Sequence, residues 1–250
     1  MNKLILGDCF EQLKGIADNS VDLILTDPPY GIDYKLNIGK LDKILNDKVG
    51  DIDFNQFFGE CYRVLKEGGC VYLFGRCDFF YRIGNEIQNS GLKYMHELLW
   101  IKGDMGSGNV GIFGQIHENI IGLSKGTPRK SQPIMIDGEI KQRSKGAYWG
   151  KISTKEYCGH PTQKPIGLCA YLIQNRTLPN DVVLDPFAGS GSTLFAAQAL
   201  DRQWIGIELD LKFWQISKNR LAEIESIEKF KKIINQGYIT YNGLITLPKV

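Results

Sequence analysis

Asp27-Pro28-Pro29-Tyr30 sets a carboxylate and an aromatic ring three residues apart on a stretch with little freedom to move. Each proline holds its own φ at about −65° and drives the residue before it toward extended conformations. A stiff acid-and-ring loop suits a flat, amino-bearing molecule such as a nucleobase, with the acid accepting from the amine and the ring covering the face. Taken alone, the four residues read equally well as a Pro-Pro turn with a surface acid and a packing tyrosine.

A second group with chemistry in it is Asp185-Pro186-Phe187-Ala188-Gly189-Ser190-Gly191-Ser192-Thr193. An acid, a glycine-rich turn and a following helix make a site for a nucleotide-like ligand, because glycine lets the backbone come close and a helix start offers unpaired N–H groups. A phosphate-binding loop needs a lysine after its last glycine, and Ser192 stands there. The dinucleotide fingerprint needs a third glycine where this chain has Leu194. Glu208 ends the next apolar run, where an acid can hold ribose hydroxyls. A ligand with an adenosine part and an amino-acid tail fits this pattern, and that ligand is S-adenosylmethionine.

Both groups need strands to present them. Val21 to Thr26 is a short aliphatic run cut off by the prolines, and Val182-Val183-Leu184 is another that delivers Asp185. Leu4 to Leu6, Cys70 to Phe74, Met95 to Ile101 and Trp204 to Ile207 read as further strands, with Ile116 to Leu123 near the sheet's edge. Helices are expected over Phe10–Ala17, Phe54–Leu65 (ended by Gly68-Gly69), Phe79–Ser90, Pro165–Arg176, Leu194–Leu200 and a long Leu211–Ile234. Asn242-Gly243 marks a terminal hairpin over Tyr238–Leu247. Strand–helix alternation predicts an α/β fold with a mostly parallel, open sheet, whose ligands gather at the carboxyl ends of the strands. Asp27 and Asp185 then share one rim.

The 250 residues make one sizeable domain. Thirty basic and 28 acidic side chains leave a net charge of +2, so overall charge does not announce a nucleic-acid partner. Distribution is more telling. Lys125, Arg129, Lys130, Lys141, Arg143, Lys145 and Lys151 face few acids, and Tyr148 and Trp149 lie among them in a segment that reads as loop. Nucleic acid would lie there, although a solvated insertion explains a charge run as well. The stretch Gly31–Gly50 lacks a clear period and reads as a long loop that closes over a ligand. Six cysteines without a Cys-x-x-Cys pair, and three histidines at no ligand spacing, predict reduced thiols, no metal and a cytoplasmic location. No apolar run suggests a signal peptide or a membrane span.

In combination these residues resemble the DNA amino-methyltransferases, which methylate the exocyclic amine of adenine or cytosine. Asp27-Pro28-Pro29-Tyr30 preceding Asp185-Pro186-Phe187-x-Gly189-Ser190-Gly191 resembles the order of their beta group. Leu6-Gly7-Asp8, Arg63 to Gly69, His117-Glu118 and His160-Pro161-Thr162-Gln163-Lys164-Pro165 are similar to further motifs of that family. The resemblance implies a sheet with one antiparallel strand and a circularly permuted motif order. It implies that Asp185 to Thr193 and Glu208 hold S-adenosylmethionine, with Asp8 at its adenine and His160, Thr162 and Lys164 toward its methionine end. Residues 127–159 would be a short inserted target-recognition segment. Double-stranded DNA is the implied partner, and a homodimer is compatible.

Catalysis would rest on Asp27 accepting a hydrogen bond from the target amine, with a backbone carbonyl of Asp27 or Pro28 accepting a second. Tyr30 would stack on the flipped base, with Phe113 on its other face. An acid rather than a serine at position 27 favours adenine N6 over cytosine N4 within the family. An RNA or protein-glutamine methyltransferase and a DNA-binding module without catalysis are the remaining readings.

Overall fold

The computed structural model describes residues 2–31, 45, 47–102, 116–130, 134–136, 139–141, 146–149 and 157–235. The predicted Tyr238–Leu247 hairpin, most of the Gly31–Gly50 loop, and Phe113, Arg143, Lys145 and Lys151 lie outside these residues.

Among the described residues, eight strands form one sheet. In chain order they are β1 (Lys3–Leu6), β2 (Val21–Thr26), β3 (Leu65–Gly75), β4 (Lys93–Ile101), β5 (His117–Ser124), β8 (Ala147–Trp149), β9 (Val182–Asp185) and β10 (Gln203–Glu208). A separate small hairpin pairs β6 (Ile134–Ile136) with β7 (Glu139–Lys141). The order across the large sheet is β1-β10-β9-β2-β3-β5-β4-β8. Only β5 runs antiparallel to its neighbours, β3 and β4. The expected α/β fold with one antiparallel strand is therefore present. Strand β5 sits inside the sheet rather than near its edge, because the short β8 adds outside β4.

The chain winds outward in both directions from the β2–β9 pair, whose register is Leu23↔Val183 and Ile24↔Leu184. That pair is the switch point of the sheet, where open α/β folds bind ligands. Side-chain alternation along β2 sends Leu23 and Leu25 to one face and Ile24 to the other. Leu23 and Leu25 join Tyr72, Phe74, Leu172, Leu194 and Phe195 in a core under α5 (Ile166–Arg176), α6 (Ser192–Ala199) and α8 (Ile224–Asn235). Ile24 joins Leu13, Phe57, Phe58, Cys61 and Phe79 under α1 (Cys9–Leu13), α2 (Phe54–Val64) and α3 (Cys77–Arg82). With β2 buried along its whole length, its end cannot shift without disturbing two cores.

Several expected boundaries move. Helix α2 stops at Val64, before the glycines. Its last carbonyls accept from the N–H groups of Asn19 and Ser20. The Arg63 guanidinium ties the helix end to the carbonyls of Leu13 and Ile16. Gly68 and Gly69 instead lie in β3, bonded to the backbone of Lys125 and Arg129, with Gly68 at φ +77°. The expected Phe79–Ser90 helix is two short ones, α3 and α4 (Gly84–Asn89), and Ile83 between them leaves helical ψ. The long terminal helix likewise divides into α7 (Leu211–Ala222) and α8 at Glu223, whose ψ is 72°. That break lets Phe230 of α8 reach Phe195 of α6, edge to face at 5.8 Å. Tyr148, expected among nucleic-acid contacts, is buried in the core against Tyr171. Among the described residues no helix is long and apolar enough to cross a membrane.

Candidate active site

The ends of β2 and β9 meet. Thr26 donates its hydroxyl to Asp185 Oδ1 at 2.8 Å, although 159 residues separate them in the chain. Around this contact opens a cleft of about 590 Å³, lined on one side by Asp27, Pro28, Pro29 and Tyr30. A second wall, from the ends of β9 and β10, holds Asp185, Pro186, Phe187, Ala188, Gly189, Ser190, Ser192, Thr193 and Glu208. Asp8, His160, Thr162 and Lys164 complete it. Its size is that of an ordinary small-molecule site.

On the tetrapeptide side, the Tyr30 hydroxyl donates to Asp27 Oδ1, and its ring packs on Phe79 at 5.1 Å. Arg82 donates to the Tyr30 carbonyl at 2.6 Å, and Asp47 accepts from the Gly31 N–H at 2.9 Å. The carboxyl end of the loop is therefore held by two separate segments of the chain. Burial raises the Asp27 carboxyl above the usual aspartate range, and the Lys164 ammonium opposes that rise.

Lys164 donates to Asp27 Oδ2 and lies 3.5 Å from Glu118 Oε2. Glu118 Oε1 in turn accepts from Lys102. Lys164 was expected toward a ligand's amino-acid tail; it also touches the acid of the tetrapeptide. Glu118, Lys102 and Trp100 line the cleft without any role having been read for them. The one available signal was the His117-Glu118 pair itself. It reaches this rim because β5 runs antiparallel, so that the start of β5 lies beside the ends of its neighbours.

On the second wall, burial pushes the Asp185 carboxyl up to about 7, against the pull of hydrogen bonds from Thr26, Thr193 and the Phe187 N–H. Glu208 accepts from the N–H groups of Gly189 at 2.7 Å and Asp210 at 2.8 Å. Asp8 caps α1 through Oδ1 while lining the cleft. Register pairs Leu6 with Glu208, which brings Asp8 to the same corner. The His160 ring packs at a tilt against Phe213, with centroids 4.2 Å apart, and burial lowers its pKa to about 4, so it is neutral at physiological pH.

Gly191 alone of the expected ligand residues is absent from the wall. It takes φ +76°, and a Cβ there would lie 2.6 Å from Ser217 Oγ on α7. Gly191 thus leaves room for α7. Gly191→Leu is expected to destabilise the fold by roughly 2–4 kcal/mol, through backbone strain and overpacking. A thermal melt checks this, and an unchanged midpoint would return Gly191 to the ligand site.

The basic segment is also corrected in part. Lys125 is buried, and its ammonium donates to Asn19 Oδ1 and to the carbonyls of Tyr62 and Leu65 at 2.7–2.9 Å. Arg129 pairs with Asp22 at 2.9 Å and Asp181 at 3.2 Å. Both follow the carboxyl end of β5, on the rim opposite the cleft, where they knit strands together. Lys130 is exposed next to them, and Lys141 lies in β7. Among the described residues, the cations that line the cleft are Arg76, Lys102 and Lys164.

A model of the N6/N4 DNA methylase family matches residues 21–219, which include both walls of the cleft. The chain belongs to that family. This methylase is 34% identical over 90% of its length to the type II methyltransferase M.HinfI of Haemophilus influenzae, covering 69% of that protein. It is 30% identical to the type II methyltransferase M2.MboI of Moraxella bovis, over 92% of each chain. The crystal structure of an M1.HpyAVI–SAM complex superposes with a TM-score of 0.69 at 25% identity, over 89% of this chain and 100% of that one. The PvuII cytosine-N4-specific DNA methyltransferase shares the fold, with a TM-score of 0.71 at 21% identity, over 97% and 93% of the two chains. The methylase is an S-adenosylmethionine-dependent enzyme acting on DNA. Its cleft suits that donor. Three carboxylates (Asp8, Asp185 and Glu208) and the Phe187 ring line the cleft, and α6 begins beside it without a side-chain cap.

Proposed function

We propose that this methylase modifies the N6 amine of an adenine flipped out of duplex DNA. The observation that carries the reading is the 2.8 Å contact between Thr26 and Asp185, which makes the tetrapeptide and the glycine-rich turn two walls of one cleft. On this reading Glu208 and Asp8 hold the adenosine part of S-adenosylmethionine. Asp185, Phe187, Gly189 and Ser190 bound its middle, and His160 and Thr162 lie toward its methionine end. Bound there, the donor supplies an electrophilic sulfonium methyl.

The protein's own part is to make a poor nucleophile presentable. An adenine amine delocalises its lone pair into the ring. Asp27 accepts one of its N–H groups and the carbonyl of Asp27 or Pro28 accepts the other, which favours a tetrahedral nitrogen whose lone pair faces the donor. Tyr30 covers the base, and stacking on one aromatic contributes about 1–3 kcal/mol toward holding it out of the helix. A carboxylate, rather than a neutral hydroxyl, also suits the positive charge that grows on the amine.

The same reading makes residues 127–159 the target-recognition segment of a single catalytic domain, and Arg76 and Lys102 candidates for phosphate contact at the cleft. The unpaired cysteines fit a cytoplasmic enzyme, and a homodimer would widen a short recognition surface. Nucleoside mass spectrometry of unmethylated DNA treated with the protein and donor tests the proposal. N6-methyladenine is the expected product. N4-methylcytosine in its place would overturn the choice of base, and an absence of both would overturn the choice of exocyclic amine.

A further inference from the structure

Both oxygens of Asp27 are engaged before any base arrives, Oδ1 by the Tyr30 hydroxyl and Oδ2 by the Lys164 ammonium. A carboxylate neutralised by a lysine is a weaker acceptor. Its lysine would also sit beside an amine nitrogen that becomes cationic during transfer, where a neighbouring positive charge opposes the reaction.

The structure also provides somewhere for that lysine to go. Glu118 Oε2 is buried, accepts no hydrogen bond, and lies 3.5 Å from Lys164 Nζ. The carboxylate is held in place through Oε1 by Lys102. A shift of under about 1 Å would bring Lys164 and Glu118 to ordinary hydrogen-bond length. The surroundings limit the lysine to that short path. Its Nζ lies 5.2 Å from the Phe74 ring centre and 5.9 Å from that of Trp100, its side chain is 8% exposed, and the Thr162 carbonyl is 3.4 Å away.

We propose that Lys164 and Glu118 form a two-position device: Lys164 rests on Asp27 when the base pocket is empty and leans to Glu118 when the target amine enters, so that Asp27 Oδ2 is free to accept from the amine. Both are positioning residues, acting through Asp27, and the proposal rests on the reading of Asp27 as amine acceptor. Charge states agree with it. The Asp27 and Glu118 carboxylates outweigh burial and keep Lys164 above the ordinary lysine value, while Lys164 and Lys102 outweigh burial and keep Glu118 below the ordinary glutamate value. The shift therefore moves the ammonium from one carboxyl group toward the other.

The test is a double-mutant cycle on the full chain, read by single-turnover methyl transfer with saturating donor and DNA. Glu118→Gln should slow transfer about 10- to 100-fold, with donor affinity by calorimetry within about threefold of wild type. In a Lys164→Met background the same change should cost less than about twofold, because Glu118 then has no lysine to receive. Equal costs in the two backgrounds would overturn the device. Should a variant not fold, the wild-type complex with DNA and a non-transferable donor analogue decides. Lys164 Nζ is expected within about 3.2 Å of Glu118 and nearer to it than to Asp27, and a lysine still nearer Asp27 would overturn the proposal. Wild-type transfer by Asp27→Ala would instead remove the reading on which the device stands.

Discussion

Asp27→Ala is expected to slow single-turnover methyl transfer by about two to three decades, the usual effect of removing one preorganised hydrogen-bonding partner of developing charge. The loss should fall on the chemical step. Asp27 stands on the tetrapeptide wall, whereas Glu208, Asp8 and Phe187 line the cleft from other elements, so donor affinity should stay within about threefold. Removing the carboxylate does not strand Lys164, because Glu118 lies 3.5 Å from its ammonium. The fold should survive for the same reason: Thr26 and its bond to Asp185 are untouched. Asp27→Asn keeps an oxygen acceptor of the same reach without the charge, and its rate should fall between the two. Donor binding by calorimetry and quenched single-turnover assays separate binding from chemistry. A rate for Asp27→Ala within tenfold of wild type would take Asp27 out of the mechanism.

The second large effect concerns Asp185 and pH. Burial holds this carboxyl at about 7, well above its ordinary 3.8. A carboxyl raised on folding stabilises the fold in its protonated form. That contribution is complete below about pH 4 and is lost as the pH rises to about 7. Over that window the ligand-free enzyme should lose as much as about 4 kcal/mol from this one group. Asp185→Asn should remove that part of the pH dependence. The donor has the opposite preference, since a cationic ligand favours the ionised acid. Its affinity should rise about tenfold between pH 6 and 8, with release of a proton. His160 does not blur the result, because it titrates near 4. Calorimetry across that range in wild type and Asp185→Asn decides, and an equal slope in both would assign the proton elsewhere.

What sequence alone determined about this protein is local. Proline chemistry stiffens the loop at Asp27, short aliphatic runs become buried strands, and a glycine-rich turn follows a strand end. Those are short-range consequences of residue type, and the runs from Val21 and Val182 form strands that start where expected. The motif order pointed to the family for the same reason, since each motif is a few contiguous residues.

Tertiary structure decided whatever depends on which element lies beside which. Glycine at 191 is legible as freedom of φ, but whether a ligand or Ser217 of α7 occupies the space is a matter of packing. A lysine in a basic run looks like a phosphate contact until three acceptors, from Asn19, Tyr62 and Leu65, close around it, as they do at Lys125. Helix α2 ends where Asn19 and Ser20 meet it, not at its glycines. The largest gain came from the direction of one strand. Because β5 runs antiparallel, its first residues reach the rim where parallel strands end, and Glu118 comes to face Lys164 beside Asp27. Strand direction is settled by the hydrogen-bond ladder with neighbours far away in the chain, and no local pattern of residues encodes it.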